Sequence, residues 1–498
     1  MEELKDNALH VEMTSSTTKG GGTTEEEIQL QEALSNYVPD TDAEKKLVRK
    51  IDMHLMPTLW IMYILNYVDR TNIGNARIAG MEDDLNLDAQ KYAWVLSIFF
   101  FGYLIMEVPS NMILSRSRPS IFLPSIMLVW GSLSAIMACA PNYGSLLAFR
   151  FILGCIESGF FPGVLFVMSC WYKAAEIGKR FAIFYSAAVL SGAFGGLLAG
   201  GITKGLHDAH GIAGWRWLFI IEGVATVGVA IVAKFILLDF PHSSPVLTLE
   251  ERQLATVRII ADSAASGSAS GSSRDDRLTH WEAFKAAATD PRTYSFMLLF
   301  VLDVGAGTIS YFIPTITKSL GYDTVKAQYM TVPVYAVATL CLNICAYSAD
   351  RHEERRWHIT AALSLGFICA MVCAIVQTPV VRYVMLCFVA SGIWSALPLI
   401  LAWASKTIDL PAEKRAIAIA MINAVGNLSS VYGSQIWPTK SAPHYTLGWG
   451  ITAGFLGAGA CVAALMPVFI KLVPNKPTKA ELALKERGER MVAEAAAL

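Results

Sequence analysis

Charged side chains stand inside otherwise apolar runs of this sequence. Arg150 and Glu157 are seven residues apart in one run, and Asp69 and Arg70 end another. Seven residues are nearly two turns of an α-helix, so Arg150 and Glu157 project from the same helix face. Desolvation among apolar neighbours disfavours the charged form of a carboxyl group, so Glu157 is suited to exchange a proton. The alternative is structural, with Arg150 only neutralising Glu157.

Several other polar or aromatic side chains are weaker candidates. Glu107 and Glu222 lie near the ends of apolar runs, where each would face lipid headgroups or a loop. Asp303 lies deep in its run and suits a site or a structural role equally. Further residues could line a pocket or could only pack and bridge helices: Tyr67, Tyr103, Tyr311, Trp394, Asn423 and Asn427.

The composition shows what kind of elements must hold these side chains. Hydrophobic residues make up 54% of the 498 residues, and charged residues only 16%. Ordinary soluble chains carry about 25% charged residues. A soluble protein with so few would have too little polar surface to cover its core. The sequence therefore predicts an all-α protein that crosses a membrane many times.

The apolar runs are long enough to be transmembrane helices, since about 20 apolar residues cross the hydrocarbon layer. Twelve such spans are predicted, near residues 53–70, 91–111, 121–139, 144–165, 181–203, 215–238, 291–316, 326–347, 357–376, 382–402, 416–437 and 447–471. Lys and Arg gather in alternate loops, which places both termini on the cytoplasmic side.

A polar segment divides the twelve spans six and six. The predicted organisation is a disordered cytoplasmic N-terminus, a six-helix half, a cytoplasmic linker, a second six-helix half and a cytoplasmic tail: 1–50, 51–238, 239–290, 291–472 and 473–498. Basic clusters recur at one offset, since Arg351 follows Arg116 at the same interval at which Arg415 follows Arg180. This spacing indicates a duplicated six-helix unit, a plan typical of transporters.

The sequence also argues against several function classes. A formal net charge of −1 lacks the basic excess of a nucleic-acid binder. The chain has no metal-ligand spacing, and it has no phosphate-binding glycine loop of the kind that ATP-driven pumps use. We therefore expect no cofactor, no metal and no enzymatic activity. The energy for any transport would come from an ion or substrate gradient.

Three segments resemble a known family. Residues 66–77, NYVDRTNIGNAR, resemble the first helix of fungal allantoate-permease-type transporters, in the anion:cation symporter family of the major facilitator superfamily. Residues 150–159, RFILGCIESG, are similar to the fourth helix of that family. Residues 349–351, ADR, resemble a loop motif of the whole superfamily.

The resemblance implies a role for each matching residue. Arg70 would bind the carboxylate of the substrate, and Asp69 and Glu157 would be a protonatable pair. Arg150 would couple the protonation of Glu157 to the gates. The remaining matches would contact the substrate (Tyr67 and Tyr103, with Tyr311 and Asn423 as looser matches) or act in gating (Asp350 and Arg351).

Together these observations predict a secondary transporter of the major facilitator fold. It would carry a small organic anion with protons by alternating access, as a monomer in the bilayer of a fungal plasma membrane. Two alternatives stay open: an exporter of a secondary metabolite or toxic acid that works by antiport, and a nutrient sensor that binds without transporting.

Overall fold

The fold was analysed in a computed structural model. It describes residues 34, 36–114, 117–241, 244–265, 278–408, 412–438, 441–479 and 481–482. Of the predicted disordered N-terminus 1–50, residues 42–50 begin a long helix instead, and residues 1–33 lie outside the described range. Arg116 of the basic repeat, most of the linker tract 263–273 and the tail beyond 482 also lie outside it. Within the described residues all regular elements are helices, which confirms the predicted all-α class.

Among the described residues, the first half contains seven α-helices of twelve or more residues: α1 (Asp42–Ala76), α2 (Ala89–Leu114), α3 (Pro119–Met137), α4 (Tyr143–Glu157), α5 (Phe160–Trp171), α6 (Ala174–Leu206) and α7 (Gly214–Ile236). The linker contributes α8 (Leu249–Ala265) and α9 (His280–Thr289). The second half contains α10 (Pro291–Gly307), α11 (Ile313–Ser319), α12 (Thr324–Tyr329), α13 (Thr331–Arg351), α14 (Arg356–Ile375), α15 (Pro379–Thr407), α16 (Ala412–Gly433) and α17 (Thr446–Leu472).

Eleven stretches of the described residues are long and apolar enough to cross a membrane, and they correspond to the second to twelfth predicted spans. The first predicted span, 53–70, lies within α1 and is not among the eleven. The reason is that α1 buries polar side chains, including Asn66, Asp69 and Asn72. Since α1 packs against α6 and α7, these groups face protein rather than lipid.

The fourth predicted span is interrupted rather than continuous. α4 ends at Glu157 and α5 begins at Phe160, with a turn between them. A Cβ atom on Gly159 would overlap the side chain of Ser110 on α2. A larger residue at position 159 would therefore require the side chain of Ser110 to move.

The two halves have the same helix register. The interval from Ala89, where α2 begins, to Thr324, where α12 begins, equals the interval from Arg180 to Arg415. α14 follows α3, and α15 follows α4, at nearly the same interval. The offset predicted from basic clusters therefore also relates whole helices.

The halves pack closely together toward one end of the bundle, which we call the far end. There α2 packs against α16, and α6 packs against α13. The hydroxyls of Ser97 and Ser434 lie 2.6 Å apart, and a Cβ on Gly74 would overlap the carbonyl of Tyr311. We call the opposite end, where α1 starts and the linker docks, the linker end.

At the linker end, α8 is fixed to the first half by buried charges. Arg258 of α8 pairs with Glu44 of α1 at 2.9 Å and also with Glu176. Lys173 approaches Glu44 to 2.6 Å. Burial opposes ionisation of Glu44, but hydrogen bonds from Lys173 and Arg258 outweigh it and hold the pKa of this carboxyl down at about 2.

The second half carries a corresponding cluster. Lys414 of α16 is fully buried and lies 2.9 Å from Asp290, at the start of α10, and 2.8 Å from Glu481. Arg292 also pairs with Asp290. Burial raises the pKa of Asp290, whereas Arg292 and Lys414 lower it by more, so the net pKa is below its ordinary value. Each half therefore binds a segment outside its spans through buried ion pairs.

Candidate functional site

A cavity of about 120 Å³ lies between the two halves. This is far more than the roughly 10–15 Å³ that one water needs, so the cavity has room for more than a single water molecule. All five predicted substrate contacts line it: Tyr67, Arg70, Tyr103, Tyr311 and Asn423. Asn427 and Trp394, which the sequence indicated more weakly, line it as well.

Arg70 presents a cation to this cavity. Its Nη2 atom lies 3.1 Å from Oε2 of Glu157, and its Nε atom also donates to that oxygen at 3.3 Å. The rings of Tyr67, Phe99 and Tyr103 surround the guanidinium, with their centroids 5.1–5.2 Å from it. The surrounding rings and the carboxylate fix the orientation of the fork, which favours recognition of a planar anion.

Glu157 is fully buried on α4, and its second oxygen, Oε1, has no hydrogen-bond partner among the described residues. Its ion-pair partner is Arg70, 87 residues away in sequence. Among the described residues, Arg150 makes no ion pair with Glu157, although the two lie close enough to interact electrostatically. The direct pairing expected in the structural alternative is therefore made by Arg70 instead of Arg150.

Arg150 is buried beside the site rather than in it. Its guanidinium lies 5.0 Å from the ring centroid of Phe99, the same ring that faces Arg70. Among the described residues, its Nε and Nη1 atoms have no hydrogen-bond partner. Arg150 and Arg70 therefore lie near one aromatic ring, with Glu157 paired to Arg70 alone.

Asp69 does not face the cavity, although it precedes Arg70 in the chain. Its carboxylate accepts hydrogen bonds from Trp130 Nε1 (3.2 Å), Ser134 Oγ (3.2 Å) and Thr226 Oγ1 (3.0 Å). These donors belong to α3 and α7, inside the first half. The structure therefore gives Asp69 and Glu157, the protonatable pair that the resemblance implies, separate sets of partners.

Two carboxyl groups that the sequence placed near lipid headgroups or a loop lie inside the protein instead. Glu107 accepts a hydrogen bond from Asn423 Nδ2 at 3.3 Å, so it contacts the other half rather than headgroups. Glu222 is only 1% exposed inside the first half. The expectation that it faces headgroups or a loop was wrong, because α3 and α7 pack closely around it through Gly131 and Gly223.

Asp303, in the second half, is also buried, and neither of its oxygens has a hydrogen-bond partner in the described chain.

The predicted gating residues lie away from the cavity, where α13 ends. Asp350 is 3.6 Å from Arg355, and Arg351 is exposed. Arg355 in turn donates to the carbonyl of Ala402 on α15 at 3.4 Å. Through Arg355, Asp350 is thus connected to the neighbouring helix α15 at the linker end.

Some lining residues were not predicted from the sequence. Tyr63 and Asn66 line the cavity with Tyr67 and Arg70. Their spacing of three, four and seven residues places all four on one face of α1, a pattern that could have identified them. Tyr185 and Phe300 line the cavity from other helices, and no local pattern marks them.

Comparison with known proteins places this architecture in a family. Residues 59–434 match the Major Facilitator Superfamily. The chain is 34% identical to the MFS-type transporter cnsO of Penicillium expansum, over 95% of this chain and 93% of that protein. It is 30% identical to the major facilitator-type transporter hxnP of Emericella nidulans, over 92% of this chain and 91% of that protein.

A solved structure shares the fold. It is a bacterial homologue of the human lysosomal transporter Spinster, in an inward-facing and occupied conformation. The TM-score is 0.62 at 13% sequence identity, and the match covers 84% of this chain and 95% of that chain.

Proposed function

Because the chain belongs to the major facilitator superfamily, we propose that it is a secondary transporter that carries a small organic anion together with protons. The observation that carries this proposal is the ion pair between Arg70 and Glu157 at the wall of the central cavity. Within the described chain, Arg70 is the one Lys or Arg side chain among the lining residues. A carboxylate entering the cavity would be attracted to it.

The ion pair makes proton binding and anion binding depend on each other. While Glu157 is ionised, it occupies the fork that a substrate carboxylate would use. A proton on Glu157 weakens this pair and leaves a buried guanidinium that needs a new anion, since an unpaired buried charge is costly. The substrate carboxylate then takes the place of Glu157, through charge-assisted hydrogen bonds to the fork.

The second half supplies groups of a different character. Asn423, Asn427 and Ser430 of α16 face the cavity, together with Ser310 and the ring of Trp394. Amides and hydroxyls can bind the uncharged polar part of a substrate, while Arg70 in the first half binds its carboxylate. A ligand that touches both halves would favour their closure around it, as alternating access requires.

The finer proposal is an anion:cation symporter of the allantoate-permease type, monomeric in a fungal plasma membrane, with both termini in the cytoplasm. Its support is the match at residues 66–77 and the Lys and Arg residues at the linker end of the bundle. Asp350 and Arg351 would then lie at the cytoplasmic gate.

Cytosolic pH in cells that display the protein at their surface tests the proposal. Nicotinate, allantoate, pantothenate and biotin would be added singly in an acidic medium. We expect one of them to acidify the cytosol, and Glu157→Gln to abolish the signal, because glutamine cannot carry the proton. The exposed Glu250→Gln is the matched control and should retain it.

Accumulation of that acid without acidification would exclude proton symport. Acidification that survives in Glu157→Gln would contradict the role of Glu157. Acid efflux without uptake would instead favour export.

A further inference from the structure

A second group of polar side chains is buried inside the first half, apart from the cavity. Asp69 and Asn72 of α1 and Glu222 of α7 are each only 1% exposed, and Thr226 of α7 is fully buried. None of them lines the central cavity in the described chain. The transport mechanism proposed above uses none of them.

Helix geometry places these groups opposite one another. Thr226 donates to Asp69 at 3.0 Å, which fixes the register between α7 and α1. Glu222 is one turn before Thr226 on α7, and Asn72 is nearly one turn after Asp69 on α1. Glu222 therefore lies beside Asn72 and within electrostatic range of Asp69.

The two carboxyl groups have very different surroundings. Asp69 accepts three hydrogen bonds, from Trp130, Ser134 and Thr226. Neither oxygen of Glu222 has a hydrogen-bond partner among the described residues. The side-chain amide of Asn72 is also buried, and neither its nitrogen nor its oxygen makes a hydrogen bond within the described chain.

Charge decides how such a pair is protonated. Two carboxylates in a dry interior cannot both ionise when no cation neutralises them. Among the described residues, the charged group that acts on Glu222 is Asp69 of α1. Asp69 is also within electrostatic range of Glu157, whose charge is neutralised by the ion pair with Arg70. Hydrogen-bond donors stabilise an ionised carboxylate, so the negative charge belongs on Asp69.

We propose that Asp69 and Glu222 form a proton-binding site inside the first half, with the proton on Glu222 and the charge on Asp69. This goes beyond the proposed function, because the site is separate from the cavity and needs no substrate. Asp69 and Arg70 are consecutive on α1, so the same helix joins the proton site to the anion site.

Infrared spectroscopy of the purified full-length protein in lipid nanodiscs tests this at neutral pH. A protonated carboxyl group absorbs separately from a carboxylate or an amide. We expect Glu222→Gln to lose the intensity of one protonated carboxyl, and Asp69→Asn to lose none. Glu250→Gln, at the surface of α8, serves as the control and should match the wild type. Thermal unfolding would verify that each variant is folded.

Three results would overturn the proposal. The first is wild-type intensity in Glu222→Gln, and the second is loss of the intensity in Asp69→Asn. Either variant is decisive if the other does not fold. The third is a spectral change when sodium replaces choline in the wild type but not in Glu222→Gln, which would identify a sodium site. No transport measurement enters, so this test can fail or succeed independently of the proposed symport.

Discussion

At the scale of single residues, Arg70 combines two properties that no other residue type supplies. Its planar fork donates to one oxygen of Glu157 through two nitrogens, and its faces lie against three aromatic rings. Lysine retains the charge but offers neither the fork nor a stacking plane. The geometry of the guanidinium is therefore as important to the site as its charge.

Substitution of Arg70 separates charge from geometry. We expect Arg70→Ala to abolish binding of the transported acid and Arg70→Lys to weaken it about 10- to 100-fold, since a hydrogen bond to a charged group contributes about 1.5–3 kcal/mol. Equilibrium binding of the radiolabelled acid measures both. Arg118→Lys, at an exposed position, is the control. Unchanged affinity in Arg70→Ala would mean that the anion binds elsewhere.

The sequence reveals part of this site and conceals the rest. Charged residues in apolar runs stand out, and helical spacing groups Arg150 with Glu157 and Tyr67 with Arg70. Spacing within one helix cannot show that Glu157 pairs with Arg70, because that contact depends on how α1 and α4 pack. For the same reason, Glu222 could not be placed beside Asp69.

At the scale of elements, the linker helix α8 belongs to the first half through the charge cluster around Glu44. The side chain of Arg258 is fully buried there, and it also donates to the carbonyl of Trp171 at 3.1 Å. Leaving either charge alone in this place would be destabilising, because a buried ion without its partner is costly.

The docking of α8 should depend on pH in acid. The pKa of Glu44 lies below its ordinary value of 4.5, at about 2, so its contribution is complete above the ordinary value and is lost as the pH falls toward the lower one. Hydrogen exchange of the α8 amides, corrected for intrinsic rates, should show constant protection from neutral pH down to 4.5 and falling protection below it. Glu44→Gln should lose protection already at neutral pH. Full protection in that variant would show that the cluster does not hold α8.

Apolar runs predict the elements well where helices face lipid. The second to twelfth spans can be recognised in the sequence as long apolar runs. The linker can be recognised because charged and polar residues replace such a run. α1 is harder to recognise because it faces protein on most sides and carries polar residues. At the break after Glu157, the side chain of Ser110 from α2 lies against Gly159, a contact between helices that no local pattern encodes.

At the scale of the whole molecule, the two halves enclose the cavity between them and contact each other at the far end. The Ser97–Ser434 contact and the carbonyl of Tyr311 against Gly74 close that end. A tyrosine ring likewise fills the space next to Gly200, where Tyr329 lies against α6. Alternating access requires these contacts to separate in each cycle.

A disulfide across the far end tests this requirement. In a cysteine-free background, Ser97→Cys with Ser434→Cys should form one on oxidation, because the two hydroxyls are 2.6 Å apart. We expect uptake to be lost on oxidation and recovered on reduction, with Ser97→Cys alone unaffected. Full uptake by the cross-linked protein would show that the far end need not open.

The two buried ion clusters at the linker end have a mechanical consequence. One fixes α8 to the first half, and the other fixes the segment before α10 to the second. Fourteen residues separate Ala265 from His280. Fully extended, they reach about 46–50 Å. This contour length sets an outer limit on how far apart the two docked segments can move while each cluster stays intact.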